Sequence, residues 1–167
     1  KWNEERKQYD INGVIGPDEY SEHVSNNAYT NYMASWNIHE ALRILERLRQ
    51  TGREDLLAAL EQKTGAVTRE EWMRERAEKL TLPQPDSRGI IPQDEALLSL
   101  PELDLTPFRK GGKKILEHYN VEQLCGYQVL KQADVVMLLS SMPDLFPEDI
   151  ILKNYQYYEE RCVHDSS

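Results

Sequence analysis

Asn26-Asn27-Ala28-Tyr29-Thr30-Asn31-Tyr32-Met33-Ala34-Ser35-Trp36-Asn37-Ile38-His39-Glu40-Ala41-Leu42-Arg43-Ile44-Leu45-Glu46-Arg47-Leu48-Arg49 is the stretch on which the fold turns. Its apolar positions recur at helical spacing and fall into two groups. Tyr29, Tyr32, Met33 and Trp36 share one side. Ile38, Ala41, Leu42, Leu45 and Leu48 share another, displaced by roughly 180° at about 100° per residue. A surface helix carries one apolar stripe. Two stripes predict a helix buried on more than one side, with other helices around it. Ser25 or Asn26 is the expected N-cap, and Gly52 the expected stop.

Upstream, residues 1–15 are polar until Ile11, Val14 and Ile15, and read as a short helix or extended segment leading into Gly16-Pro17. Downstream, Glu54 to Gln62 reads as a short helix broken at Gly65. Thr68-Arg69-Glu70-Glu71 matches a capping box and opens a helix with Trp72, Met73, Ala77 and Leu80. Residues 82–108 hold five prolines (Pro83, Pro85, Pro92, Pro101 and Pro107) and predict a long surface loop. Such a loop is a lid or substrate-side insertion, or else a wrapping connection. Gly111-Gly112 leads into a short helical piece around 113–118. Tyr127 to Met142 is apolar nearly all round, and its length favours a buried helix over a strand. Pro147-Glu148-Asp149 is a good first turn for a helix with Ile151, Tyr155, Tyr158 and Cys162 on one stripe. The pattern predicts about six or seven helices, no strand pair and no internal repeat. An all-α fold with concentric layers of helices accounts for the multiply buried ones.

The 167 residues suffice for one domain with a core. A formal net charge of −9 gives no general attraction for phosphate backbones, which argues against nucleic acid as a partner. No run of about 18 apolar residues offers a membrane span. Cys125 and Cys162 are too few for a disulfide framework, so a reducing, cytoplasmic location is expected. The chain starts at Lys1 and ends at Val163-His164-Asp165-Ser166-Ser167, and is expected to be cut from something larger.

Three places carry candidate chemistry. Gly16-Pro17-Asp18-Glu19-Tyr20-Ser21-Glu22-His23 puts the carboxylates of Glu19 and Glu22 and the imidazole of His23 just ahead of the long helix. Two acids three apart are commonly a solvated helix face, but the Gly-Pro turn before them argues against a plain helix. Glu19 and Glu22 suit acid/base work only if burial holds one protonated. Neither HExxH nor a zinc-type Cys/His spacing is present, so no metal is expected. Lys131-Gln132-Ala133-Asp134 sets a cation, an amide and an acid in the apolar 127–142 run. This is either a polar strip on a helix or a set of groups for a polar ligand. Lys and Gln suit sugar hydroxyls, since both donate hydrogen bonds and Gln also accepts. His164-Asp165-Ser166-Ser167 is either a polar helix end or an anion site. It is not a hydrolase triad, since no G-x-S-x-G accompanies it.

Taken together, these places resemble one family. Val14-Ile15-Gly16-Pro17-Asp18-Glu19-Tyr20 with Glu22-His23-Val24 and Asn26-Asn27-Ala28-Tyr29-Thr30-Asn31, then Lys131-Gln132-Ala133-Asp134-Val135-Val136, then His164-Asp165-Ser166-Ser167, resemble in order the catalytic domain of glycoside hydrolase family 65. That family includes maltose, kojibiose, nigerose and trehalose phosphorylases and some acid trehalases. The resemblance runs over nearly the whole chain. It implies that residues 1–167 are part of an (α/α)6 barrel, two concentric rings of six helices, with the Pro-rich loop at about 82–108. It implies that Glu19 is the general acid, that Lys131 and Gln132 hold the glucosyl unit, and that His164, Ser166 and Ser167 bind phosphate. Phosphate attacking the anomeric carbon from the opposite face gives inverting phosphorolysis of an α-linked glucose disaccharide to β-glucose 1-phosphate. The expected partners are then a disaccharide and inorganic phosphate as co-substrate, with no other cofactor.

The alternatives are hydrolysis of an α-glucoside such as trehalose on the same barrel, and a non-catalytic helical scaffold. Two positions depart from the family pattern: Ser21 stands where His is usual, and Ser25 where Asp or Asn is usual. Apolar faces at 26–49 and 127–142 lead us to expect self-association or a homodimer.

Overall fold

A computed structural model describes residues 1–109 and 112–163, about half of them helical. They hold six α-helices: α1 (Ala28–Gln50), α2 (Glu54–Thr64), α3 (Glu70–Lys79), α4 (Val121–Leu124), α5 (Asp134–Ser141) and α6 (Glu148–Glu159). Four short 3-10 turns accompany them. The chain divides into two compact units, one of residues 1–10 and 32–81, the other of 11–31 and 82–167.

In the first unit a strand pair stands where none was expected: β1 (Trp2–Asn3) is antiparallel to β2 (Gln8–Tyr9). The Asn3 side chain closes the turn by accepting the Glu5 and Arg6 amides at 3.1 Å each. The Trp2 and Tyr9 rings meet edge-on at 4.8 Å, and the Arg76 guanidinium of α3 covers Tyr9 and Trp72. Beyond its first turn, α1 buries Tyr32, Ser35, Leu42 and Leu45. That is one line at helical spacing, not the two stripes expected; Trp36 and Ile44 are about half exposed. Gly52 and Gly65, both at positive φ, end α1 and α2 as read from the sequence. The capping box at Thr68 does not form. The Glu61 carboxylate takes the Thr68 hydroxyl and the amides of Val67 and Thr68, which holds Thr68 on Glu61, and the residue at the N-cap of α3, Arg69, makes no side-chain cap.

In the second unit, Tyr20, Leu105, Ile115, Leu124 and Val129 form one apolar core cluster. Leu138, Leu139 and Tyr158 are buried on α5 and α6. The Pro-rich segment is irregular, as expected, and exposed at many positions, but its middle is not on the surface. Ile91 and Gln93 are fully buried, and Ile90, Asp94 and Leu97 nearly so. A buried irregular backbone must have its polar groups partnered, and α6 supplies the partners. The Asn154 side chain accepts the Ile91 amide and donates to the Gly89 carbonyl, each at 2.8 Å, while the Tyr158 hydroxyl donates to the Ile91 carbonyl. This part of the segment is therefore tied to α6.

The run 127–142 is helical only from Asp134. Ahead of it the chain is irregular, bending on either side of Leu130, because its backbone groups are taken by distant partners. Leu130 donates to the Arg161 carbonyl at 2.9 Å and accepts the Val163 amide at 3.0 Å. Lys131 and Gln132 therefore lie on the approach to α5, not on a helix.

Candidate active site

The loop before α1 is closed by Val14 and Val24, whose amides and carbonyls exchange two 3.0 Å hydrogen bonds. Gly16 passes so close to α5 that a Cβ there would lie 2.1 Å from Asp134 Oδ2 and 2.6 Å from Asn27 Nδ2. Only glycine permits that approach. Asn27 is the N-cap of α1: its Oδ1 accepts the Thr30 amide at 3.0 Å, while its Nδ2 donates to Asp134 Oδ2 at 2.6 Å. The cap thus falls on Asn27, not on Ser25 or Asn26. Asn26 is buried at φ +52, and its Nδ2 donates to Glu95 at 2.8 Å. That positive φ turns the chain one residue before the cap.

Asp18 is fully buried. Its amide donates to Asp134 Oδ1 at 2.7 Å. Its Oδ1 accepts the amides of Tyr20 (3.1 Å) and Lys131 (3.0 Å), and its Oδ2 accepts Ser21 Oγ (3.2 Å) and Gln93 Nε2 (3.0 Å). Gln93 Oε1 in turn accepts the Asp134 amide at 2.9 Å, and the Gln93 carbonyl accepts that of Ala28 at 2.8 Å. One residue of the Pro-rich segment thereby joins the acid loop, the start of α1 and the start of α5. Burial pushes the Asp18 carboxyl up, against the pull of its hydrogen bonds from Tyr20 and Lys131. Burial likewise pushes Asp134 up to about 7, with the Asn27 hydrogen bond opposing and the Asp18 charge adding.

Glu19, the next residue, projects outward. Its side chain is 64% exposed, and its Oε2 accepts Lys131 Nζ at 2.9 Å. The hydrogen bond from Lys131, and then its positive charge, hold the Glu19 carboxyl below the usual carboxylate range, with a smaller contribution from the Gln132 side chain. The Gln132 Oε1 is buried with no hydrogen-bond partner among the described residues. An acceptor left in that condition is costly, and it is suited to a hydroxyl brought by a ligand. The two cysteine thiols back the site: Cys125 donates to the Tyr20 carbonyl at 2.8 Å and Cys162 to that of Lys131 at 3.0 Å.

The structure therefore brings Glu19, Lys131 and Gln132 together. Glu22 and His23 line a different groove, with Ser21, Asp94, Glu95 and Cys125. Ser21, in place of the usual His, is buried against Asp18. His164, Ser166 and Ser167 lie outside the described residues. Val163, just before them, is bonded through its amide to Leu130, just before Lys131. The sequence reading missed Asp18 and Gln93. A signal for Asp18 was present in the Gly-Pro turn that precedes it, but a buried amide in a Pro-rich loop has none.

The family model for the glycosyl hydrolase family 65 central catalytic domain matches residues 1–167. The chain belongs to glycosyl hydrolase family 65. It is 38% identical over 169 residues to the kojibiose phosphorylase of Halothermothrix orenii, covering 100% of this chain and 21% of that protein. It is 42% identical over 160 residues to the kojibiose phosphorylase of Escherichia coli, covering 95% of this chain and 19% of that protein. This family 65 chain thus spans about a fifth of the length of the curated relatives it matches. Other relatives are named for α,α-trehalose, 1,2-α-glucosylglycerol and nigerose. A solved structure of a protein from the human microbiome, described as a kojibiose phosphorylase, shares the fold with a TM-score of 0.79 at 23% identity. That match covers 99% of this chain and 22% of the other.

Proposed function

We propose that the protein carries out inverting phosphorolysis of an α-linked glucose disaccharide, giving β-glucose 1-phosphate and a free sugar. The observation that carries this reading is the Glu19–Lys131 contact at 2.9 Å, with Gln132 beside it, in a family 65 chain whose relatives are named phosphorylases. Glu19 donates a proton to the glycosidic oxygen as the bond to the anomeric carbon breaks. A phosphate oxygen attacks that carbon from the opposite face, so the configuration inverts. An anionic nucleophile needs no base, and one carboxylic acid suffices.

Lys131 and Gln132 hold hydroxyls of the glucosyl unit, the Gln132 Oε1 accepting one. His164, Ser166 and Ser167 hold the phosphate. Before substrates bind, Lys131 favours the ionised form of Glu19. Turning Lys131 toward a sugar hydroxyl and bringing in the phosphate charge both raise Glu19, so that it binds its proton when substrates are present. Inorganic phosphate is a co-substrate, and no other cofactor is invoked. The same reading places residues 1–167 in an (α/α)6 barrel, in the cytoplasm. No helix among the described residues is long and apolar enough to cross a membrane. Self-association through exposed apolar residues of α5 and α6, such as Met137, Leu152 and Tyr155, is checked by solution mass.

The deciding experiment incubates the full-length protein with kojibiose, maltose, nigerose and trehalose, with and without phosphate. β-Glucose 1-phosphate formed only with phosphate is the expected product, its anomer read by NMR. Glucose released without phosphate would make the protein a hydrolase. No turnover of any sugar would leave it a scaffold.

A further inference from the structure

We propose that Asp18 is the positioning residue for Glu19: its buried carboxylate ties the backbone around the acid to the backbone of Lys131 and thereby sets where the acid stands. This rests on the reading of Glu19 as proton donor. An exposed glutamate has no packing to fix it, so its placement comes from its main chain. The amides on both sides of Glu19 are pinned, that of Asp18 by Asp134 Oδ1 and that of Tyr20 by Asp18 Oδ1. The same Oδ1 accepts the Lys131 amide at 3.0 Å. One oxygen atom therefore bridges the two segments that carry the Glu19–Lys131 contact.

The position calls for a carboxylate. Gln93 must present its Nε2 to Asp18, because its Oε1 is taken by the Asp134 amide. With the amides of Tyr20 and Lys131 on the other oxygen, both oxygens of Asp18 face donors. An acceptor-only group satisfies them all, whereas an asparagine would set an NH2 against a donor. Asp18 itself is fully buried, so it acts only through Glu19 and Lys131.

The test compares leaving groups in the full-length protein. A sugar alkoxide needs a proton to depart, but fluoride does not. Asp18→Asn is assayed with phosphate on α-glucosyl fluoride and on whichever of the four disaccharides is turned over. We expect kcat on the disaccharide to fall about 10²-fold, the scale of a misplaced catalytic group, with only a few-fold loss on the fluoride. Equal losses on both substrates, or no loss on either, overturn the proposal.

Glu19→Gln is run alongside and should show the same asymmetry. If Glu19→Gln loses both substrates equally, the proton-donor reading falls, and the positioning proposal with it. If Glu19→Gln is asymmetric and Asp18→Asn is not, only the role of Asp18 falls. Should Asp18→Asn not fold, Ser21→Ala removes a single donor from the same carboxylate. It should shift the disaccharide-to-fluoride ratio a few-fold in the same direction, and an unchanged ratio counts against Asp18.

Discussion

Asp18 is fully buried and its carboxylate accepts four hydrogen bonds, whereas Glu19, the next residue, is 64% exposed and its carboxylate rests on one ammonium group and one amide. Burial raises the first carboxyl; Lys131 lowers the second. Two adjacent acids thus have opposite surroundings and, in the proposed mechanism, opposite uses. The buried one, with Asp134 and Gln93, fixes the backbone. The exposed one meets whatever enters the site. The separation matters because a group that reacts must stay accessible, and an accessible side chain cannot hold itself in place. Precision at Glu19 is supplied from behind it.

The sharpest way to break the comparison is to remove one function at a time. Glu19→Gln keeps size and exposure but carries no proton to donate. Disaccharide turnover should fall by about 10²-fold or more, with the melting temperature unchanged. Near-normal turnover would end the assignment. Gly16→Ala should do the reverse in kind. Its Cβ would lie 2.1 Å from Asp134 Oδ2, and overpacking of this sort costs about 1–3 kcal/mol. Denaturant unfolding should show that loss, and an unchanged midpoint would mean that the knot yields more easily than its geometry implies.

The exposed half of the comparison was far more legible in the sequence than the buried half. Glu19, Lys131 and Gln132, which lie together in the structure, were named because short motifs of distinctive residues carry them. Helices α2, α3 and α6 were found because apolar spacing and the flanking Gly, Pro and acidic residues are local signals. The irregular segment before α5 was not, since an apolar run reads alike whether it coils or bends through a core. What decides is a set of hydrogen bonds to Asp18 and Arg161, 113 and 31 residues away. The Pro-rich segment was misjudged for a related reason. Prolines forecast irregular backbone correctly, but not that Asn154 and Tyr158 of α6 would satisfy that backbone inside the protein.

A smaller effect separates the two halves by pH. The folded protein holds a proton on Asp134 up to about pH 7, while the unfolded chain releases it near the ordinary carboxylate value. Between those points the folded state binds more protons, so stability from this group is present at acid pH and is lost as pH rises toward 7. Asp134→Asn cannot ionise, and its Nδ2 would face Asn27 Nδ2 across the present 2.6 Å contact. The variant should be less stable than the parent at pH 5, and the gap should narrow by pH 8. Melting curves across that range check it; a gap that stays the same from pH 5 to pH 8 would mean that Asp134 is ionised throughout.

The smallest effect tests the exposed half. A proton donor works only in its protonated form, so rate falls as pH rises past its pKa. Lys131 holds that pKa down in the free protein. Lys131→Met removes the ammonium and should let Glu19 rise toward its ordinary value. The high-pH limb of kcat/KM, which reports the free protein, should then move to higher pH, even as the overall rate drops for want of the sugar contact. Lys131→Arg keeps the charge and should leave the limb where it is. If Lys131→Met lowers the rate without moving the limb, the ion pair holds sugar alone, and the state of Glu19 is set by something other than its nearest cation.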